Sequence, residues 1–530
     1  MSANGVRPAR AHASVDNLRT YLLAAARQAP DRPAVIQAAG SGLETVTYGE
    51  LERRTDRIAE QLDALGLDVG DRVILEADTD ADTVATFLAC ATVGLAFVPA
   101  SPEAPDERLL TIIESAEPAL HLQSLQGKRD CVPDSVGTAR FGPDGLVVER
   151  APEPRVRRRR AVTPIDTAYI TFTSGTTGRP KGCVMPHRGI IAFLRGAAAE
   201  ELITHEDRVA STAPFQFDFS LFDIGFTLSH GATLVPVPRA RLNWPRRFLG
   251  HLNDAGVTQV DAVPSVWRPV VQHESEMLSD LGDSGTLRRI VFSGEAFPMD
   301  ELRTMQKLLP KVAFTNGYGA TETMAASITP VPNPLPEGVE RLSIGHAVAG
   351  AEWTLVGPDG AIVDGPGVLG EIYLRTPSLF SGYWNDPEAT RACVVPDPLD
   401  TASGRVVFKT GDLASMGEDG ELYFHGRADS QVQIRGNRVE LGEIELRVNQ
   451  FDGVTGAVAL VLPRADGDPQ LHAFVTTADG AEPDTKELVA FCRAALPAYM
   501  IPQGVHTVGE FPLTPNGKVD RAKLSALVAS

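Results

Sequence analysis

Along the first part of the chain, apolar positions recur with two different periods. In VDNLRTYLLAAARQAP (15–30) and LERRTDRIAEQLDALG (51–66) they return every three to four residues, the spacing that collects one apolar stripe on a helix. DRVILEA (71–77) is a short apolar run bounded by charge and predicts a buried strand. ATFLACATVGLAFVPA (85–100) predicts a helix running into a second strand, and DTAYITFTSG (166–175) a strand that opens into a loop. This alternation predicts an α/β architecture with parallel strands. Segments 132–166 and 327–340 are rich in Pro, Gly and charge and predict surface loops. The texture changes at GRADSQVQIRGNRVELGEIE (426–445), which is strongly polar and interrupted by glycine, and a short α/β pattern follows. The expected organisation is a domain over 1–428 and a smaller one over 429–530, with the boundary at Asp429.

Composition narrows the function classes. The 530 residues exceed what one hydrophobic core usually supports, in keeping with two domains. A net charge of −19 argues against nucleic acid as a partner. No apolar run approaches the roughly 18 residues that span a bilayer, and MSANGVRPARAHAS lacks the apolar stretch of a secretory signal, reading instead as a mobile tail. Five scattered cysteines without a CxxC fit a reducing cytoplasm and no structural zinc. One basic run, RVRRRR (155–160), reads either as a solvated linker or as a steering patch for an acidic partner or ATP.

The chemistry concentrates first in TFTSGTTGRPKG (171–182). Such a stretch buries almost no apolar surface. Its backbone N–H groups and hydroxyls can converge on a polyphosphate, and glycine permits the close approach required. Arg179 and Lys181 add positive charge. The loop is not GxxxxGK[ST], because Gly182 follows the lysine.

TFTSGTTGRPKG resembles the phosphate loop of adenylate-forming enzymes, the family of nonribosomal adenylation domains, acyl-CoA synthetases and luciferases. VTYGEL (46–51), GLAFVPASPEAP (94–105), FDFS (217–220), NGYGATE (316–322), GEIYLRTPSLFSGYW (370–384), FKTGDL (408–413), GRADSQVQIRGNRVELGEIE and LTPNGKVDR (513–521) match that family in order along nearly the whole chain. The resemblance implies a large N-terminal domain of mixed sheets and helices with a small mobile C-terminal α+β domain. It also implies a reaction that joins a carboxylate to the α-phosphate of ATP and expels pyrophosphate. Two anions must then meet, which calls for cations and Mg²⁺.

By that likeness Thr173, Ser174, Gly175, Thr176, Thr177 and Lys181 hold the β- and γ-phosphates, Thr321 contacts the α-phosphate and Glu322 ligates Mg²⁺ through hard oxygens. Gly294, Glu295, Asn316 and Tyr318 belong to the nucleotide site, Tyr318 stacking on adenine and Asn316 bonding its edge. Asp412 grips the ribose, with Arg427 nearby. Lys518 bridges the substrate carboxylate and phosphate oxygens, a role suited to a compact ammonium. Asp429 is the implied hinge. One orientation of the small domain inserts Lys518; the other presents the segment around Gly436 to a thiol acceptor.

In family members that activate amino acids, an Asp in the position of Asp218 pairs with the substrate ammonium; without such a partner its expected role is to cap a helix beginning at Ser220. The implied pocket wall comprises Phe219, Phe222, Asp261, Val291, Ser293, Gly317, Ala325 and Ala326. The two Phe rings narrow it, and Gly317, Ala325 and Ala326 leave space. Asp261 fits a second amine or a hydroxyl, or reflects a local misalignment. SGE (293–295) with FDFS resembles stand-alone ligases for alanine-like or β-amino acids, and the α and β alternatives stay open. No serine segment that would accept a phosphopantetheine arm follows Lys518, so a separate carrier protein is expected. The implied function is an amino acid–carrier protein ligase; the alternatives are an acyl- or aryl-CoA ligase and a degenerate ATP-binding regulator, the last disfavoured by the presence of Glu322 and Lys518.

Overall fold

The structure, a computed structural model, describes residues 17–40, 42–155, 158–159, 161–175, 179–429, 431–462, 470–477, 482–513 and 519–528. The N-terminal tail and three expected site residues, Thr176, Thr177 and Lys518, lie outside the described residues.

Two large sheets organise the N-terminal part. The first has the strand order Met324–Val331, Ala313–Ala320, Arg289–Ser293, Gln259–Ala262, Arg208–Ser211, Thr233–Pro236, Pro33–Ala39 and Gly42–Thr47. Its centre is parallel, as the alternating pattern predicts, but both edges turn back antiparallel. The second sheet runs from Gly145–Arg150 through Gly137–Gly142, Leu120–Ser124, Arg72–Glu76, Ala96–Ala100 and Thr167–Thr173 to Lys181–Pro186. A smaller sheet contains Glu352–Val356, Leu369–Arg375 and Val406–Met416, with Leu422–Arg427 paired to the last of these.

Most of the periodic segments form as expected. Residues 51–64 of the segment 51–66 fall in a helix, Tyr48–Ala64, capped by the Thr47 hydroxyl on the Glu50 N–H. Segment 85–100 gives the helix Ala81–Val93 and the strand Ala96–Ala100, separated by Gly94 at φ +83°. Segment 15–30 splits at Leu23 into Leu18–Leu22 and Ala24–Gln28. Segment 132–166 is not all loop. The Gly137–Gly142 strand alternates buried Ala139 and Phe141 with Thr138 and Arg140 and bonds in parallel to Leu120–Ser124. Pairing with a buried neighbour thus outweighs its Gly-rich composition. Within the basic run, Arg155 pairs with Asp71 at 2.5 Å and Arg159 with Asp166 at 2.5 and 2.8 Å. These pairs tie the linker to the sheet and favour the linker reading over a free steering patch.

From Val432 onward the apolar residues form a core of their own, built from the hairpin Gln431–Ile434/Asn437–Glu440, the helix Leu441–Asn449, and a sheet of Val454–Leu462, Gln470–Thr477 and Gly504–Thr507. Ile444, Val448, Leu488 and Met500 are fully buried there. Among the described residues no helix is long and apolar enough to cross a membrane. None of the five cysteines is in a disulfide.

Candidate functional site

A cavity of about 620 Å³ opens where the carboxyl ends of the parallel strands meet the second sheet and the C-terminal hairpin. Crevices beyond strand carboxyl ends are where α/β folds bind ligands. Thr173 and Ser174 line it from the loop after Thr167–Thr173. Ser293 ends the strand Arg289–Ser293, with Gly294 and Glu295 after it, while Asn316, Gly317 and Tyr318 lie within the neighbouring strand Ala313–Ala320, which leads to Thr321. Asp218, Phe219 and Phe222 enter from the helix Asp218–Ser229, whose first residue is Asp218. Val291, Ala325, Asp412 and Arg427 also contribute to the wall. The structure thus brings most of the expected site residues together.

The loop 171–182 is a strand–turn–strand. Thr173 and Lys181 are register partners on antiparallel strands. A Cβ on Gly175 would lie 1.9 Å from the Arg179 carbonyl oxygen, so only glycine allows the turn to close this tightly. The Lys181 ammonium sits 5.7 Å over the Tyr383 ring. Opposite, Tyr318 donates its hydroxyl to Asp412 at 2.6 Å, and Arg427 holds the other Asp412 oxygen at 2.6 Å. Burial pushes the Asp412 carboxyl up, against the opposing pull of Arg427. Asn316 donates its side-chain N–H to the Ser343 carbonyl at 2.9 Å. The Glu295 carboxylate accepts from the Ser265 N–H and hydroxyl at 3.0 and 3.3 Å, so it caps the helix Pro264–His273.

Asp218 opens on the cavity, and burial is the main force raising its carboxyl, countered by a hydrogen bond from Thr321. Among the described residues no cationic side chain forms an ion pair with it. Glu322 is 1% exposed and lies just behind the wall. Burial alone would push its carboxyl up, but Arg438 and the Tyr383 hydroxyl outweigh that and hold it below the ordinary value. Arg438 meets its two oxygens at 3.1 and 2.9 Å, and Tyr383 donates at 2.5 Å.

Two expected pocket residues lie elsewhere. Asp261 is fully buried and does not line the cavity. It accepts from the Gln259 amide at 2.8 Å and lies beside Asp223, which takes the Ser211 hydroxyl at 2.5 Å. The helix that presents Asp218 and Phe222 covers it and sets Asp223 against it. Burial pushes both carboxyls up, Asp261 to about 7. Ala326 is 3% exposed and packs into the core.

Several contributors were not assigned by sequence reasoning. Val263, Phe217 and, from the C-terminal part, Arg438 and Tyr499 line the cavity, beside the expected Gly436. Tyr383 and Arg438 stand inside the matched motifs GEIYLRTPSLFSGYW and GRADSQVQIRGNRVELGEIE. The signal available for Arg438 was one of three Arg in a polar stretch; its partner across 116 positions was not readable.

A family model for AMP-binding enzymes matches residues 22–384, and a second, for the C-terminal domain of AMP-binding enzymes, matches 443–518. The chain belongs to the AMP-binding enzyme family. Among curated proteins, this AMP-binding enzyme is 33% identical to the L-proline--[L-prolyl-carrier protein] ligase of Streptomyces coelicolor, over 93% of each chain. It is 31% identical to the dimodular nonribosomal peptide synthase of Bacillus subtilis, of whose length it spans 21%. Among solved structures, IdnL1 aligns at 51% identity with a TM-score of 0.88, over 95% of this chain and 100% of that one. CmiS6 aligns at 56% identity with a TM-score of 0.76, over 80% and 99%. The large N-terminal and small C-terminal units correspond to the two family models and align with IdnL1 along its whole length.

Proposed function

We propose that this AMP-binding enzyme uses ATP and Mg²⁺ to convert an amino acid, a small neutral α-amino acid or a β-amino acid, into its aminoacyl-AMP. It then transfers the aminoacyl group to the phosphopantetheine thiol of a carrier protein. Asp218 carries the reading. A cavity-facing carboxylate raised by burial needs a cation, and a substrate ammonium supplies one. The similarity to a prolyl-carrier protein ligase supports the carrier as acceptor.

In the first step a substrate carboxylate oxygen attacks the α-phosphorus, the bond to the bridging β-oxygen breaks, and pyrophosphate leaves. In the second the carrier sulfur loses its proton and attacks the acyl carbon, and AMP leaves with the C–O electron pair. Asp218 orients the ammonium, and Phe219 and Phe222 bound the pocket beside it. Thr173, Ser174, Gly175, Thr176, Thr177 and Lys181 hold the outer phosphates, and Thr321 the α-phosphate. Asp412, fixed by Tyr318 and Arg427, accepts from the ribose hydroxyls. Glu322 suits Mg²⁺, because its buried carboxylate already holds a cation, the Arg438 guanidinium. When bound, the metal neutralises phosphate charge. Lys518 spans the two reacting anions during the first step. Residues 429–530 rotate about Asp429 between the steps. The present arrangement, with Gly436 at the cavity, is the thiol-transfer orientation in this scheme.

Amino-acid-dependent exchange of pyrophosphate into ATP, measured across α- and β-amino acids with simple carboxylic acids as controls, tests the reading. Exchange with amino acids alone, followed by loading of carrier protein rather than CoA, is the expected result. Exchange driven by fatty or aryl acids contradicts it.

A further inference from the structure

The helix that presents Asp218, Phe219 and Phe222 meets the sheet beneath it through two carboxyl groups. Asp223 stands one turn after Phe219 on that helix and is fully buried. It lies over two neighbouring parallel strands, on which Ser211 and Asp261 are register partners. Its Oδ2 accepts the Ser211 hydroxyl at 2.5 Å, and its carboxyl adjoins that of Asp261, whose Oδ1 accepts the Gln259 amide at 2.8 Å. Asp261 is in turn the register partner of Val291, which belongs to the cavity wall. Each carboxyl keeps one oxygen, Asp223 Oδ1 and Asp261 Oδ2, that receives no N–H or O–H among the described residues. The charged groups acting on the pair are the two carboxyls themselves and Arg289, on the strand beyond Asp261. Among the described residues Arg289 forms no ion pair with either.

Two adjoining carboxylates in an apolar interior each carry a desolvation cost, and their mutual repulsion adds to it. One proton between them removes a charge, gives the two bare oxygens a donor, and turns repulsion into a charge-assisted hydrogen bond. We propose that Asp223 and Asp261 share a single proton, and that this acid–carboxylate pair fastens the helix so that Asp218 and the two Phe rings face the cavity. Neither residue lines the cavity, so both are positioning residues. Burial raises both carboxyls, which holds the proton in place at neutral pH. As pH rises and the proton leaves, two anions face each other and the helix loosens from the strand. The consequence for the amino acid rests on the proposed function; the shared proton stands without it.

Infrared difference spectra of the full chain read the proton directly. At neutral pH, wild type minus Asp223→Asn and wild type minus Asp261→Asn should each show the C=O stretch of a protonated carboxyl, because either amide supplies the donor and leaves its partner ionised. A difference spectrum without that band would overturn the proposal. Steady-state kinetics read the fastening. Asp223→Ala should lower kcat/KM for the amino acid by up to about 100-fold, the scale for a displacement of about 1 Å, with the KM for ATP near that of the wild type. Asp223→Asn keeps a hydrogen bond to Asp261 and should recover most of that loss. From neutral pH upward, the ratio of the wild-type amino acid KM to that of Asp223→Asn should rise; ionisation of the substrate amine is common to both and cancels. A ratio that stays flat, or an Asp223→Ala variant that harms both substrates equally, would also overturn the proposal. Failure of the proposed function shows differently, as a carboxyl band present in an enzyme without amino-acid-dependent exchange.

Discussion

At the residue scale, Asp218 and Gly436 carry the sharpest consequences. Asp218 must be ionised to hold an ammonium, and burial raises its carboxyl above the ordinary value. Substrate affinity should therefore weaken as pH falls, starting at a pH above the usual carboxylate range. Asp218→Asn should raise the amino acid KM by roughly 10- to 100-fold, the range for a lost hydrogen bond to a charged group, and abolish that pH dependence. Steady-state KM against pH measures both. Gly436 has φ +74°, and a Cβ there would come 2.4 Å from Val263. Gly436→Ala should slow thiol transfer about tenfold through backbone strain and this clash, while pyrophosphate exchange persists. Single-turnover transfer from aminoacyl-AMP is the readout. These positions were legible because motif register names them. Asp261 was not, since register gives no sign that a helix covers that side of its strand. Arg438 escaped assignment because an ion pair across 116 positions leaves no periodic trace.

Secondary-structure elements show the same division. Helix and strand periods located Tyr48–Ala64, Arg72–Glu76 and Thr167–Thr173, because each buries one stripe or a whole run. The edge hairpin Gly137–Arg150 was hidden behind turn-like composition, since its order comes from a neighbouring strand. The helix His187–Ala198 holds a further test. His187 is fully buried at its first position, receives the Leu18 N–H at Nδ1 at 3.4 Å, and has no partner for Nε2 among the described residues. Burial lowers its pKa to about 4. Below its unfolded value of 6.5 the unfolded chain binds a proton that the folded one refuses. Stability of the N-terminal unit should thus rise with pH between about 4 and 6.5, the His187 share amounting to about 3 kcal/mol. Denaturation across that window should show this slope in the wild type and a shallower one in His187→Gln.

For the whole molecule, the two apolar cores explain how one chain can serve two reactions. Residues up to Phe424 pack in the N-terminal clusters, those from Val432 pack among themselves, and the contacts between units are mainly polar. Polar contacts exchange partners at little cost, which suits alternation more than permanent association. The most direct measurement is on Lys518→Ala, with the two half-reactions timed separately. With Lys518 in its proposed role as a transition-state cation, adenylation should fall by about 3–5 kcal/mol in barrier terms, roughly 150- to 5,000-fold. Transfer from preformed aminoacyl-AMP should stay near the wild-type rate. Equal losses in both steps would contradict the account.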